Sequence, residues 1–180
     1  DNLVEIINVS DGIMVARGDL GVEIPFEELP VCQKKIVKMC RKHKRIAIVA
    51  TEMLESMKHN PRPTRAEVTD ISYAIYNGTD AIMLSGETTT GEYVVETVEA
   101  MAKIAENIEN SIIYKNIFAE EKVETPTDAI MKSVAEATNS LNAKLIITPT
   151  ISGKTARLIS TLEPSCPILA LVRDEKTANQ

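Results

Sequence analysis

Tryptophan is absent from the 180 residues, and aromatic residues make up only 3%. That scarcity argues against a base-stacking surface for single-stranded nucleic acid. Positive charge is also short: 20 Lys and Arg stand against 26 Asp and Glu, a formal net charge of −6. The balance argues against bulk nucleic-acid binding and against adhesion to an anionic membrane. Cysteine is rare. Cys32, Cys40 and Cys166 are an odd set without a CxxC pair, so neither a disulfide framework nor a zinc ribbon is indicated. This usage reads as a reducing, cytoplasmic compartment. No uncharged apolar run reaches the roughly 18 residues of a membrane span. The first residues lack the basic-then-apolar order of a signal peptide.

What remains is globular in composition, with 44% hydrophobic and 26% charged residues. The length exceeds one modal domain of roughly 150 residues. Three apolar runs stand out: Ile13–Ala16, Ile46–Ala50 and Ala81–Leu84. They start roughly 34 residues apart, with a helical pattern in each gap, which is the layout of βαβ units. Their continuity predicts parallel strands covered on both faces.

The helical stripes are legible. Leu29, Cys32, Ile36 and Cys40 form one between about Glu27 and His43. Thr64-Arg-Ala-Glu67 is a capping box, followed by the stripe Val68, Ile71, Ile75 and a stop at Gly78. Val94, Val98, Met101, Ala105, Ile108 and Ile112 mark a long helix from about Glu92 to Ile113. A polar stretch at 119–127 reads as a linker between a first domain, 1–118, and a second, 128–180. The second predicts helix 128–141, strand 145–148, helix 154–162 and strand 168–172. Residue 1 is Asp, and Leu3, Ile6 and Ile7 have helical spacing, so the chain is expected to open inside a helix whose preceding strand is missing. Both ends read as cuts in a longer polypeptide.

Chemistry in parallel α/β folds collects beyond the carboxyl ends of strands. The three runs end in Arg17-Gly-Asp-Leu-Gly21, Thr51-Glu52 and Ser85-Gly-Glu-Thr88. Each puts an acid beside a hydroxyl or a glycine. Gly18 and Gly21 are expected to permit unusual φ and free amides for an anion, with a short helix starting near Glu23. Asp19 is a candidate Mg²⁺ ligand, because Mg²⁺ takes one or two carboxylates plus substrate oxygens and water. A tight βα turn with Asp19 as a cap accounts for the same residues. Thr51 could equally just finish its strand, and Glu87 just cap a helix. His43 and His59 lack partners at metal spacing and read as surface. In the second domain, Thr150-Ile-Ser-Gly-Lys-Thr155 resembles a phosphate loop. It fails as a Walker A motif, since Thr148 stands where Gly is required and Pro149 removes a donor. An ordinary capped βα loop and a hydroxyl-rich phosphate cradle both remain open.

Taken in order, the stretches Ser10–Pro25, Ala50–Met57, Pro61–Glu67 and Asp80–Thr88 resemble the pyruvate kinase family. The resemblance covers essentially the whole chain and weakens after Ile113. It implies an α/β fold: the last three βα units of a (β/α)8 TIM barrel, then part of a smaller α/β regulatory domain. It implies phosphoryl transfer from phosphoenolpyruvate to ADP, with Mg²⁺ (or Mn²⁺) and K⁺, in a cytoplasmic homotetramer. On that reading Asp19 is a metal ligand, Gly18 and Asp19 contact the substrate carboxylate, and Thr51 binds substrate and serves proton delivery. Thr150, Ser152, Gly153, Lys154 and Thr155 would cradle a phosphorylated effector. The family's second metal carboxylate, its catalytic lysine and its nucleotide and K⁺ residues would lie upstream of residue 1, so the 180-residue chain alone is expected to be inactive. Two other readings stand beside it: another phosphoenolpyruvate/pyruvate-type barrel enzyme, and an isolated effector-binding or assembly module.

Overall fold

Val, Ile and Ala fill the run at residues 46–50, and β-branched side chains suit a pleated, buried surface. In the computed structural model of the chain this run is the central strand of a three-stranded parallel sheet. The structure describes residues 2–111, 123 and 125–179. Its contacts divide into two units, residues 1–117 and 118–180.

The first unit opens with helix α1 (Leu3–Val9), strand β1 (Gly12–Ala16) and helix α2 (Arg17–Glu23). Helix α3 (Leu29–Lys42) leads to β2 (Ile46–Ala50), and α4 (Arg65–Tyr76) to β3 (Ala81–Met83). Short α5 (Gly86–Thr89) and long α6 (Val94–Glu109) follow. The sheet order is β1-β2-β3. Ala16 pairs with Ala50 and Ala50 with Met83, so all three strands end level with one another. That register sets the segments after each strand along one rim.

The expectation of strands buried on both faces does not hold. Val15, Ala47 and Val49 are buried, whereas Met14 and Ile46 are about half exposed. Successive residues point to opposite faces. Helix α3 packs on β1 and β2 from one side, and Val37, Cys40, Met53, Leu54 and Ile71 complete that core. The other face of the sheet is apolar but open.

Three helical expectations shift. In α1 only Ile7 is buried, while Ile6 is exposed. In α3 the buried line is Gln33, Val37 and Cys40, with Cys32 half-buried. In α6 the buried residues are Thr97, Met101 and Ile108, while Val98 is half exposed. Thr97 tolerates burial because its hydroxyl donates to the Tyr93 carbonyl within the helix, at 2.6 Å. Ile112 and most of the expected 119–127 linker fall outside the described residues. Burial, then the nearby Asp80 carboxylate, pushes the Cys40 thiol up to about 11. It is a packing group, not a nucleophile.

The capping box forms as read. The Glu67 N–H donates to Thr64 Oγ1 and the Thr64 N–H to Glu67 Oε2. Gly78 follows α4 at φ +78°, the left-handed conformation that ends helices.

The second unit contains α7 (Pro126–Ser140), β4 (Ile146–Pro149), α8 (Lys154–Ser160), β5 (Ile168–Leu171) and α9 (Glu175–Ala178). Strands β4 and β5 are parallel, with Pro149 paired to Leu171 at their carboxyl ends. Ile146, Ile159 and Cys166 centre a small core.

Candidate functional site

The rim beyond β1 and β2 brings Gly18 and Thr51 into contact. The Gly18 N–H donates to Thr51 Oγ1 at 2.9 Å. The Thr51 hydroxyl donates in turn to the Ala50 carbonyl at 2.6 Å. A hydroxyl has one proton and two lone pairs, so Oγ1 keeps one lone pair for a further donor.

The Gly18–Gly21 segment differs from its expected form. No separate turn precedes a helix at Glu23; α2 begins at Arg17, directly on the end of β1, and stops at Glu23. Glycine costs about 1 kcal/mol in a helix relative to alanine, which is why the pattern reads as a turn. The tertiary bonds at Arg17 and Gly18 override that preference. Neither Gly18 nor Gly21 has positive φ. A Cβ on Gly18 would meet only Thr51 Oγ1, at 3.7 Å, ordinary contact. The unusual backbone lies across the rim: Thr51 has φ +69° and Glu52 +53°. A β-branched residue there is an outlier, and left-handed geometry costs about 1–2 kcal/mol per residue.

Arg17 offsets that cost, and the sequence reading gave it no role. Its side chain is nearly buried, with 5% exposure. Nε and Nη2 donate to the Thr51 carbonyl at 3.0 and 2.6 Å, and Nη2 to the Glu52 carbonyl at 2.8 Å. Nη1 is ion-paired with Asp70 of α4. Hydrogen bonds to charged groups contribute about 1.5–3 kcal/mol each, so three such bonds exceed the strain of two left-handed residues. The available signal was position: an arginine directly after a strand end points toward the neighbouring strand's end.

Asp19 lies in the first turn of α2, exposed to solvent. Among the described residues no side chain bonds its carboxylate. It sits one residue from the Gly18–Thr51 bond, on the same rim. The described residues contain no group of three or more His, Cys, Asp or Glu placed to hold a metal. Asp19 by itself offers a metal one free carboxylate. That fits Mg²⁺ only where substrate oxygens, water and other residues complete the shell.

Glu87 is more than an exposed cap. It is fully buried at the third strand end. Its Oε1 accepts from the Leu54 N–H at 3.1 Å and its Oε2 from the Ser85 N–H at 2.8 Å. Burial alone would raise its pKa, but these backbone donors, its own N–H and the Lys58 ammonium together hold it below the ordinary carboxylate range. Glu87 thereby ties the loop carrying Thr51 to the loop after β3. His59 lies exposed beside Glu92, and His43 beside Asn8.

In the second unit, Thr150, Ser152, Lys154 and Thr155 line an open concavity of about 630 Å³ with Ile151, Leu171 and Arg173. Gly153 does not line it. At φ +72° it makes the left-handed turn into α8. Arg173 is the cation that sequence reading overlooked. It stands two residues past β5, which ends level with β4 and so faces the same loop.

Residues 1–98 match the family description "Pyruvate kinase, barrel domain", and residues 128–180 match "Pyruvate kinase, alpha/beta domain". The chain is 50% identical to the pyruvate kinase of Clostridium acetobutylicum, over 100% of this chain and 39% of that protein. It is 50% identical to the pyruvate kinase of Thermotoga maritima, over 98% of this chain and 38% of that one. The crystal structure of a pyruvate kinase from Cryptosporidium parvum superposes with a TM-score of 0.90 at 42% identity, covering 98% of this chain and 37% of that one. The chain thus spans under two fifths of the length of these relatives. With barrel-domain and α/β-domain segments matched in order, the chain belongs to the pyruvate kinase family.

Proposed function

We propose that the complete enzyme carrying this chain transfers the phosphoryl group of phosphoenolpyruvate to ADP, giving pyruvate and ATP. The observation that carries the reading is the shared rim, where Asp19 adjoins the hydrogen bond from the Gly18 amide to the Thr51 hydroxyl. The chain supplies the last three βα units of a (β/α)8 barrel. In support, the sheet face carrying Met14 and Ile46 is apolar yet open, as expected where further strands close a barrel.

Phosphoryl transfer depends on positioning and on neutralising developing charge. Asp19, in the first turn of α2 beside the Gly18–Thr51 hydrogen bond, orients the substrate carboxylate end at the rim. Asp19 would contribute a carboxylate to a bound Mg²⁺ (or Mn²⁺), which would supply charge neutralisation for the transferring group. Thr51 then gives its hydroxyl proton to the enolate carbon of pyruvate. That proton first leaves its hydrogen bond to the Ala50 carbonyl, and a water proton replaces it on the Oγ1 lone pair that the Gly18 N–H leaves free, with hydroxide released to solvent. The 5%-exposed Arg17 and the buried Glu87 hold the loop against which this happens.

In the second unit, Thr150, Ser152, Lys154, Thr155 and Arg173 bind a phosphorylated effector, with Gly153 shaping the loop. The complete protein is a cytoplasmic homotetramer that also uses K⁺. Among the described residues no helix is long and apolar enough to cross a membrane. A single Asp19 carboxylate is half a metal site, so the 180-residue chain alone does not turn over. A coupled assay for phosphoenolpyruvate- and ADP-dependent ATP formation tests both statements. The complete enzyme should be active, and the isolated chain should show nothing above background.

A further inference from the structure

We propose that Arg17 is a positioning residue for proton delivery, acting through Thr51. The inference rests on the role given to Thr51 above. Two consecutive residues of α2 hold Thr51 from both ends. The Arg17 guanidinium fixes its carbonyl with two donors, while the Gly18 N–H fixes its hydroxyl at 2.9 Å. The same guanidinium binds the Glu52 carbonyl, so both left-handed residues are clamped together. Asp70, reaching over from α4, holds the fourth nitrogen contact and fixes the plane of the fork.

The clamp decides where the hydroxyl points. Thr51 has a stiff χ1, so the direction of Oγ1 follows the backbone that carries it. A relaxed backbone at φ +69° would leave the left-handed region and swing Oγ1 away from both Gly18 and the rim. Lysine cannot replace the clamp. Its ammonium is a point charge, without the planar fork that reaches two successive carbonyls and a carboxylate at once. Proton transfer is steeply sensitive to such placement, and an error of about 1 Å costs on the order of 100-fold. Substrate binding, to which Asp19 contributes, is less sensitive.

The test uses the complete enzyme and reads exchange of the pyruvate methyl protons with D2O by NMR, beside kcat and KM for phosphoenolpyruvate. Arg17→Lys should slow exchange about 100-fold while KM moves about threefold or less. Thr51→Ala should slow it at least as much, and the double variant should be no slower than Thr51→Ala alone, as for residues acting in series. Added guanidinium should restore part of the exchange lost in Arg17→Ala. If Arg17→Lys and Arg17→Ala both fail to fold, Asp70→Ala, which keeps the guanidinium but removes the acceptor of Nη1, decides: slower exchange at unchanged KM supports the clamp, and unchanged exchange overturns it. Exchange near wild type in Arg17→Lys, with Thr51→Ala impaired, overturns the inference and spares the reading of Thr51. Parallel loss of exchange, KM and thermal stability, additive in the double variant, reduces Arg17 to a structural residue. Normal exchange in Thr51→Ala sinks the reading of Thr51 and the inference with it.

Discussion

The backbone N–H of Gly18 donates to Oγ1 of Thr51 across 2.9 Å, joining the ends of two neighbouring parallel strands. The bond exists because Ala16 and Ala50 are paired in register, so their successors leave the sheet side by side. A one-residue slip would turn every side chain of β2 to the opposite face. Register therefore makes the site, and the site residues do not need to be near one another in sequence.

Glu87 should contribute stability that depends on pH. Its folded pKa lies below the ordinary value, so its contribution is present at neutral pH and is lost as pH falls through the folded pKa. Glu87→Gln should cost about 1–3 kcal/mol at pH 7, since one backbone donor loses its acceptor in a buried place. Thermal melts of both proteins from pH 7 downward check this. The gap in Tm should narrow below the usual carboxylate range.

Glu67 joins a helix cap to the loop after β2. Its carboxylate accepts from Thr64 and from both the N–H and the hydroxyl of Ser56. Burial works to raise its pKa, but these donors outweigh it and lower the pKa. Thr64→Ala should cost about 1 kcal/mol as an ordinary cap loss. Glu67→Ala should cost more, because Ser56 also loses its partner. Denaturant midpoints of the two variants provide the comparison.

Gly91 and Gly78 should respond differently to alanine. A Cβ on Gly91 would lie 2.3 Å from the Glu87 carbonyl oxygen, so backbone must move. At Gly78 the obstacle is the far end of the long Arg41 side chain, which donates to the Gly78 carbonyl at 3.4 Å, together with the left-handed φ of +78°. That second cost is about 1–2 kcal/mol. Gly91→Ala should destabilise more than Gly78→Ala in the same melts.

The loop at Thr150–Thr155 should bind phosphate without a divalent ion. Lys154→Ala and Arg173→Ala should each weaken binding of inorganic phosphate or a sugar phosphate roughly tenfold or more, the effect of losing a charged hydrogen bond. Thr155→Ala should weaken it less. Calorimetry with and without Mg²⁺ reads this, and equal affinities for all four proteins would remove the effector site.

Much of this architecture is written locally. The β2 run, the Thr64–Glu67 capping box and the Gly78 stop depend on neighbours within a few residues, and each was legible. Helix α2 was not, because its two glycines disfavour a helix and only contacts with Thr51, 33 and 34 residues away, hold it. The left-handed Thr51 and Glu52 were invisible for the same reason. The α6 stripe rotated because a buried threonine can satisfy itself on the helix backbone, which a hydrophobic pattern does not register. Asp19 and Thr51 were legible as candidates through resemblance and strand-end position. Arg17, which acts through the backbone of others, left no such mark.

Binding of Mn²⁺ to the complete enzyme, followed by electron paramagnetic resonance in the presence of phosphoenolpyruvate, tests the central claim most directly. Asp19→Asn should weaken Mn²⁺ binding at least about 10- to 100-fold, the cost of losing even a group that only orients a ligand, while Thr51→Ala leaves it near wild type. Identical affinities in Asp19→Asn and wild type would contradict the assignment of this rim as the place where metal and substrate meet.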